Sequence, residues 1–426
     1  MKAGAARVEL TPLPGVPTGA GGPDGYAPAE RALDPLFVRA LLLESAAGAV
    51  LLMQADLLGL SRRRADELAL AAGTAAGVDP RTVLIVCPQT HNSGSTFNRD
   101  FPDAVLTEFA NAAHRRWYAS LDAAFAEAAR AARSRTRPAR GAVARDVCPG
   151  VCANRRAAMR DGRVVSAWYD PDPAQVIGWG PDDPEAVLVG FMDAETGRLI
   201  AGLWHFTGHP NCLWMLPVFS RDYPGVVEDR LREENPGAEF LFLNGFCGDV
   251  DPYRCMGVGK RLFTHPFIRE PGVDLSPNVA AMRRLGGNLA DHVSGLHARL
   301  PAPEEWNALR MIRRELVCER RSDERGDYAA HFEPVVELAV LRIGPVGVAC
   351  APFEPVVALG LDVKRRSPAN VTLVAGHTPS YNGYLPDRAT LEQGGFEAAV
   401  GWRGYAAGTG EAVADALTDI LKEAFA

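Results

Sequence analysis

Cys87-Pro-Gln-Thr-His-Asn-Ser-Gly94 follows directly on Thr82-Val-Leu-Ile-Val86, and this junction decides how the chain is read. The first run is β-branched and aliphatic, bounded by Asp79-Pro80 before and Pro88 after, which is the pattern of a buried strand. That strand hands His91 to a loop of Thr, Asn, Ser and Gly at its carboxyl end, where open α/β sheets place their ligands. A loop histidine by itself is more often a solvated turn residue. The question is whether other strands send partners to meet it.

Working outward, the same arrangement recurs. Arg62 to Ala76 has charged and apolar residues at helical spacing. It predicts a crossover helix from the strand Ala49–Gln54, itself hairpinned to Leu36–Ser45, into the His91 strand. Asp56 follows the second of those strands. Leu121–Arg135 predicts a further helix, with Trp117 and Phe125 on its apolar side. Ala186–Met192 and Leu199–Trp204 predict a hairpin around Asp193-Ala-Glu-Thr-Gly197, and the second strand feeds His205-Phe-Thr-Gly-His209-Pro210.

Downstream, Ser220-Arg-Asp-Tyr-Pro224 opens a helix over Val226 to Glu234. Glu239–Leu243 reads as a buried strand that exits into Asn244-Gly-Phe-Cys-Gly-Asp-Val-Asp-Pro252, a glycine-rich loop with two carboxylates. Pro277 to Leu300 predicts a helix, and Leu309–Val317, Val335–Ile343 and Val346–Cys350 predict strands. The last of these ends in Ala351-Pro-Phe-Glu354-Pro355, followed by a helix to about Lys364. Val371–Val374 leads to Gly376-His-Thr-Pro-Ser-Tyr-Asn-Gly-Tyr384, and Glu411 to Ala424 closes the chain as an amphipathic helix. The fold class expected is α/β: a mixed β-sheet core wrapped by helices, one large domain over residues 1–426.

Composition narrows the function classes. A net charge of -7 without any basic block argues against nucleic acid and anionic membrane surfaces as partners. No apolar run is long enough to span a bilayer. Met1 to Pro12 lacks the apolar core of a signal peptide, so the expectation is a cytoplasmic protein. The eight cysteines are scattered, and Cys148-Pro-Gly-Val-Cys152 is their one close pair, so reduced structural thiols are expected rather than a disulfide or zinc knuckle. The Gly- and Pro-rich stretch Thr11 to Arg31 is long for an idle connection and is expected to border the site.

Two loop histidines, a carboxylate and a tyrosine at strand ends suit a zinc site with an open position. The order of motifs resembles the catalytic domain of the neutral/alkaline (non-lysosomal) ceramidases and their bacterial relatives. It is carried by Ala6-Arg-Val-Glu-Leu-Thr-Pro12, Gln54-Ala-Asp-Leu-Leu-Gly59, Thr90-His91-Asn92, Asn154-Arg155, His205-Phe-Thr-Gly-His209-Pro210, Ser220-Arg-Asp-Tyr-Pro-Gly225, Asn244 to Pro252, Pro352-Phe-Glu354-Pro355 and Tyr381-Asn-Gly-Tyr384. Each motif is short; their series covers essentially the whole chain. The resemblance implies one zinc ion per chain held by His91, His209, Glu354 and Tyr384, with His205 competing for the second histidine. It implies a substrate-clamping role for Arg155.

The chain departs from the family at three substrate positions. Read onto His91-Asn92-Ser93, the family's His-Thr-His loses its second histidine; a loop serine becomes Asp251; and a substrate tyrosine becomes Phe396. The resemblance therefore implies a metal-dependent hydrolase of an amide (N-acyl) bond in a small soluble substrate rather than in ceramide. In that reading zinc-bound water is the nucleophile. Asp251 is the general base with Asp222 and Asp249 in reserve, Arg155 and Tyr384 meet the oxyanion, and Asn92, Ser93, Asp249 and Phe396 join Arg155 in contacting substrate. The alternatives are an esterase, lactonase or sugar-directed hydrolase, and an inactive metal- or ligand-binding homologue. A homo-oligomer is left open.

Overall fold

The computed structural model describes residues 1–19, 28–96, 111–214, 216–257, 263–265, 268–269, 276–320, 333–401 and 404–426. Part of the Thr11 to Arg31 stretch thus lies outside the described residues. Its described part does reach the His91 loop, where the Gly19 amide donates to the Ser93 carbonyl at 2.8 Å.

Twelve longer strands build two sheets. In chain order they are β1 (Lys2–Glu9), β2 (Phe37–Ser45), β3 (Gly48–Ala55), β4 (Val83–Val86), β5 (Arg137–Val147), β6 (Glu185–Asp193), β7 (Leu199–Phe206), β8 (Glu239–Asn244), β9 (Leu309–Val317), β10 (Val335–Ile343), β11 (Val346–Cys350) and β12 (Val371–Ala375). The first eight form one sheet in the order β8-β7-β6-β5-β1-β2-β3-β4, and the last four form a second in the order β9-β10-β11-β12. The expected mixed β-sheet core wrapped by helices is present, divided between two sheets rather than gathered in one. Strand spacing along the chain is alike in both arrangements, and which strands pair is decided by which apolar faces meet.

The layering follows from strand alternation, which sends successive side chains to opposite faces. Leu41 and Leu43 of β2, Leu203 of β7 and Leu241 of β8 face inward and share one core with Leu341 of β10, Val348 of β11 and Leu373 of β12. The two sheets therefore pack face to face. The intervening residues point outward onto helices. Val38, Ala40 and Leu42 lie under α1 (Arg62–Ala76) and α2 (Ala112–Ser134). Phe240 and Phe242 lie under α3 (Asp222–Glu234) and α4 (Ser276–Ala298). Val340, Ala349 and Val374 lie under α5 (Val357–Arg366) and α6 (Thr409–Phe425). The result is four layers, helix–sheet–sheet–helix. Among the described residues no helix is long and apolar enough to cross a membrane.

Most strand pairs are antiparallel. Among the twelve longer strands described, three pairs are parallel, and each of these is a strand–helix–strand crossover: β3-α1-β4, β7-α3-β8 and β11-α5-β12. α1 starts at Ser61, whose hydroxyl caps the Arg64 amide, and ends at Gly77 in the left-handed conformation (φ 65°). The crossover expected from the sequence is thus present with the same bounds. Asp56, at the end of β3, is turned inward, where it accepts from Arg39 at 2.9 Å and from the Phe37 amide at 2.7 Å. Arg39 also pairs with Glu228 of α3, so this buried charge cluster ties the first crossover to the second.

Candidate functional site

The crossovers matter because they carry polar loops from the carboxyl ends of β4, β7, β11 and β12 to one place. β4 delivers Gln89 and His91, β7 delivers His209, β11 delivers Glu354, and β12 delivers Tyr381 and Tyr384. The loops are stitched together: Asn244, the last residue of β8, donates from Nδ2 to the Pro88 carbonyl at 2.9 Å. The short segments Glu354–Pro355 and Tyr384–Leu385 pair in parallel, setting Glu354 beside Tyr384. Together with Leu58, Arg155, Trp168, Asn211, Trp214 and Phe396 these side chains line a cavity of about 130 Å³. That is smaller than the roughly 300 Å³ at which drug-sized sites begin, so the enclosed space suits a small molecule or one end of a larger one.

Glu354 is the hub. Its Oε1 accepts from Gln89 Nε2 at 2.6 Å and meets His209 Nε2 at 2.7 Å, while Oε2 accepts from the Tyr381 hydroxyl at 3.0 Å. Burial would raise its pKa, but the hydrogen bond and charge of His209, with help from His377 and Tyr384, hold the carboxyl well below the usual range. His209 Nδ1 sits 3.0 Å from the Val250 carbonyl, which orients the ring so that Nε2 addresses Glu354. Burial pulls the His209 pKa down, yet Cys247 and Glu354 outweigh it and push it up to about 10.

The guanidinium of Arg155 is held from every side. Its Nε donates to Glu397 at 2.7 Å, and Nη2 donates to the Gly248 carbonyl at 2.7 Å and to the Tyr384 hydroxyl at 3.1 Å. Nη1 lies 3.5 Å from Asp251 Oδ2. Its flat face covers Trp168 at 4.1 Å. The other walls are aromatic: Trp168 lies 5.4 Å from Trp214 and 5.0 Å from Phe396, and Trp214 stands edge-on to His91 at 6.0 Å.

Of the residues expected from the sequence, the cavity gathers His91, His209, Glu354, Tyr384, Arg155 and Phe396. It does not gather the rest. Asp251 is buried behind the wall, accepting from Trp168 Nε1 at 2.7 Å and from the Tyr253 amide at 3.0 Å. It positions Trp168 and Arg155 and does not face the cavity. Asp249 accepts from the Val357 amide at 2.7 Å and from Asn154 Nδ2 at 2.8 Å, a strap between chain segments. Asp222 accepts from the Leu213 and Tyr223 amides. Asn92 turns away to donate to the carbonyls of Leu216 and Val218 at 3.1 and 3.0 Å, and the Ser93 hydroxyl donates to the Gly94 carbonyl. His205, the competitor of His209, is still in β7; its Nδ1 meets the Leu243 carbonyl at 2.9 Å, and it does not line the cavity.

The zinc set does not close as expected either. Among the described residues no three His, Cys, Asp or Glu side chains converge closely enough to hold a metal ion. His209 and Glu354 do converge, but the side chain that comes to them is Gln89, with Nε2 2.9 Å from His209 Nε2 and 2.6 Å from Glu354 Oε1. The His91 ring centre is 5.7 Å from that of His209. The side chain that sits against the pair is therefore that of Gln89, two residues ahead of His91. The donors present do not fit the zinc centre that the resemblance implies.

Sequence reading passed over Gln89, Tyr381, Trp168, Trp214, Asn211 and His377. His377 stacks on Tyr381 at 4.7 Å, with Nε2 3.9 Å from Glu354 Oε2; burial pulls its pKa down to about 4, keeping it neutral. Gln89 gave no sequence signal: its backbone is left-handed (φ 67°), so strand alternation does not tell where its side chain points.

The chain matches no protein-family model, and no curated protein matches it. Solved structures do match. The neutral ceramidase from Pseudomonas aeruginosa superposes with a TM-score of 0.75 over 99% of this chain and 74% of that one, at 15% identity. A ceramidase complexed with C2 gives a TM-score of 0.74 at 14% identity, with the same coverage of each chain. The chain has the fold of a neutral ceramidase.

Proposed function

We propose that the protein is a hydrolase that cleaves an amide (N-acyl) bond of a small substrate seated in this cavity. The observation behind the reading is the convergence of an ionised carboxylate, two histidines and a phenol–guanidinium pair in one small aromatic-walled space, in a fold shared with a ceramidase. Because the zinc set does not close, the protein's own side chains carry the chemistry.

Glu354 has both oxygens engaged and serves as a fixed negative charge that holds Gln89, His209 and Tyr381 around the cavity. The base is then His91, the second imidazole in the cavity and a side chain type suited to proton transfer near neutral pH. It takes a proton from water as the oxygen adds to the substrate carbonyl carbon. The resulting oxyanion is met by the Tyr384–Arg155 pair and the Asn211 amide. His91 returns the proton to the amide nitrogen, the C–N bond breaks, and an amine leaves together with a carboxylic acid, which ionises in water.

The test is a panel of short N-acyl amino acids and anilides, with matching esters. Wild type should favour the amides, and His91→Ala should lower kcat by roughly 10²- to 10⁴-fold, the usual worth of a positioned base, with its melting temperature unchanged. Equal rates in the two proteins would overturn the role of His91. The saturation of Glu354 also favours a second reading, a ligand-binding protein without turnover. Binding of panel compounds to wild type with no product formed would establish it.

A further inference from the structure

We propose that Gln89 stands in for a metal ion, so that this site is assembled and operates without a bound divalent cation. The argument starts from lone pairs. A carboxylate offers about four acceptor positions, two on each oxygen, and both of those on Glu354 Oε1 are taken, by Gln89 Nε2 and His209 Nε2, while Oε2 accepts from Tyr381 Oη. A cation would have to displace one of them.

The partner in its way is Gln89. Its carboxamide nitrogen lies against both atoms that would point at a metal, 2.6 Å from Glu354 Oε1 and 2.9 Å from His209 Nε2. An N–H group donates and cannot ligate. The other end of the amide is committed as well, since Oε1 accepts from the Cys247 thiol at 3.0 Å. That bond fixes which end of the carboxamide faces the pair: turning it over would set the carbonyl oxygen against the Glu354 carboxylate.

Two further observations agree. His209 Nε2 and Glu354 Oε1 are 2.7 Å apart, closer than the roughly 3.2 Å that separates two ligands in a tetrahedral zinc site with bonds of about 2.0 Å. Gln89 is also 2% exposed and has a left-handed backbone (φ 67°), a conformation uncommon outside glycine. The chain accepts that conformation and so directs this amide into the centre of the site. The carboxamide donates to Glu354 Oε1 and packs against His209 Nε2, in the place where a cation would supply charge.

The proposal does not rest on the hydrolase reading, because its test needs no substrate. Wild type, Gln89→His and Gln89→Glu are each incubated with zinc, dialysed into metal-free buffer, and measured by elemental analysis and by thermal melts with zinc or with EDTA. Wild type should keep less than about a tenth of a zinc per chain, with a melting temperature indifferent to both additions. At least one variant should keep about one zinc per chain, as a closed set of three protein ligands does, and melt higher with zinc than with EDTA. Gln89→Glu is isosteric and serves if the histidine variant does not fold. Wild type that retains about one zinc per chain and loses melting temperature in EDTA would overturn the proposal. Folded variants that both refuse zinc would overturn it too, since the amide would then not be what keeps the metal out.

Discussion

At the scale of single residues, the site depends on side chains that never touch the cavity. Asp249 is the clearest. Burial, then repulsion from Glu397, raises its pKa to about 6, while the Val357 amide, Asn154 and Arg155 pull the other way. The folded state therefore binds this proton more tightly than the unfolded chain, whose value is near 3.8. The sign follows: stability is greatest below the unfolded value and falls as pH rises from about 4 through about 6. For this group alone the change is on the order of 3 kcal/mol at 1.36 kcal/mol per unit. Urea unfolding at pH 5 and pH 7.5 should show wild type losing stability between the two, and Asp249→Asn losing distinctly less. A variant with the same pH slope as wild type would show that Asp249 titrates as an ordinary surface carboxylate.

At the scale of elements, the Glu354–Pro355 and Tyr384–Leu385 bridge sets the hub beside the phenol that it shares with Arg155. The loop after β8 presses directly on this bridge. Gly248 donates from its amide to the Pro355 carbonyl at 2.8 Å, and its own carbonyl accepts from Arg155. A β-carbon on Gly248 would lie 2.8 Å from the carbonyl oxygens of Glu354 and Pro355, and backbone cannot swing aside as a side-chain tip does. Gly248→Ala should therefore destabilise by about 1–3 kcal/mol, the usual range for overpacking, and should abolish ligand binding in the cavity. Wild-type stability and binding in that variant, by denaturant melts and calorimetry, would mean that the loop can shift freely.

At the scale of the whole molecule, the two sheets are held by a shared apolar layer, so the site at their carboxyl ends is only as rigid as that layer. Leu341 of β10 is fully buried in it, with Leu241 and Leu243 of β8 in the same core. Leu341→Ala should cost about 2–5 kcal/mol, the range for a leucine cavity, although residue 341 lies in neither the site nor its loops. A loss below about 1 kcal/mol would mean that the sheets close up around the gap.

Much of this was legible in the sequence, for local reasons. The bounds of α1, the β6–β7 hairpin and the strands leading to His91, His209 and Glu354 follow from apolar period and turn chemistry, both of which act between near neighbours in the chain. His91, His209 and Glu354 were also within reach, because a polar residue just past a buried strand has few places to go except the carboxyl-end cleft, whereas Arg155, Tyr384 and Phe396 came from the family resemblance. Two things were decided only by tertiary structure. One is the division of the strands into two facing sheets, since pairing depends on which distant apolar faces bury each other. The other is the occupant of the centre. Gln89 and His91 stand in one polar loop just past β4, and nothing along the chain ranks one above the other. Only the positions of His209 and Glu354, brought in from β7 and β11, show that the amide and not the imidazole fills the gap between them.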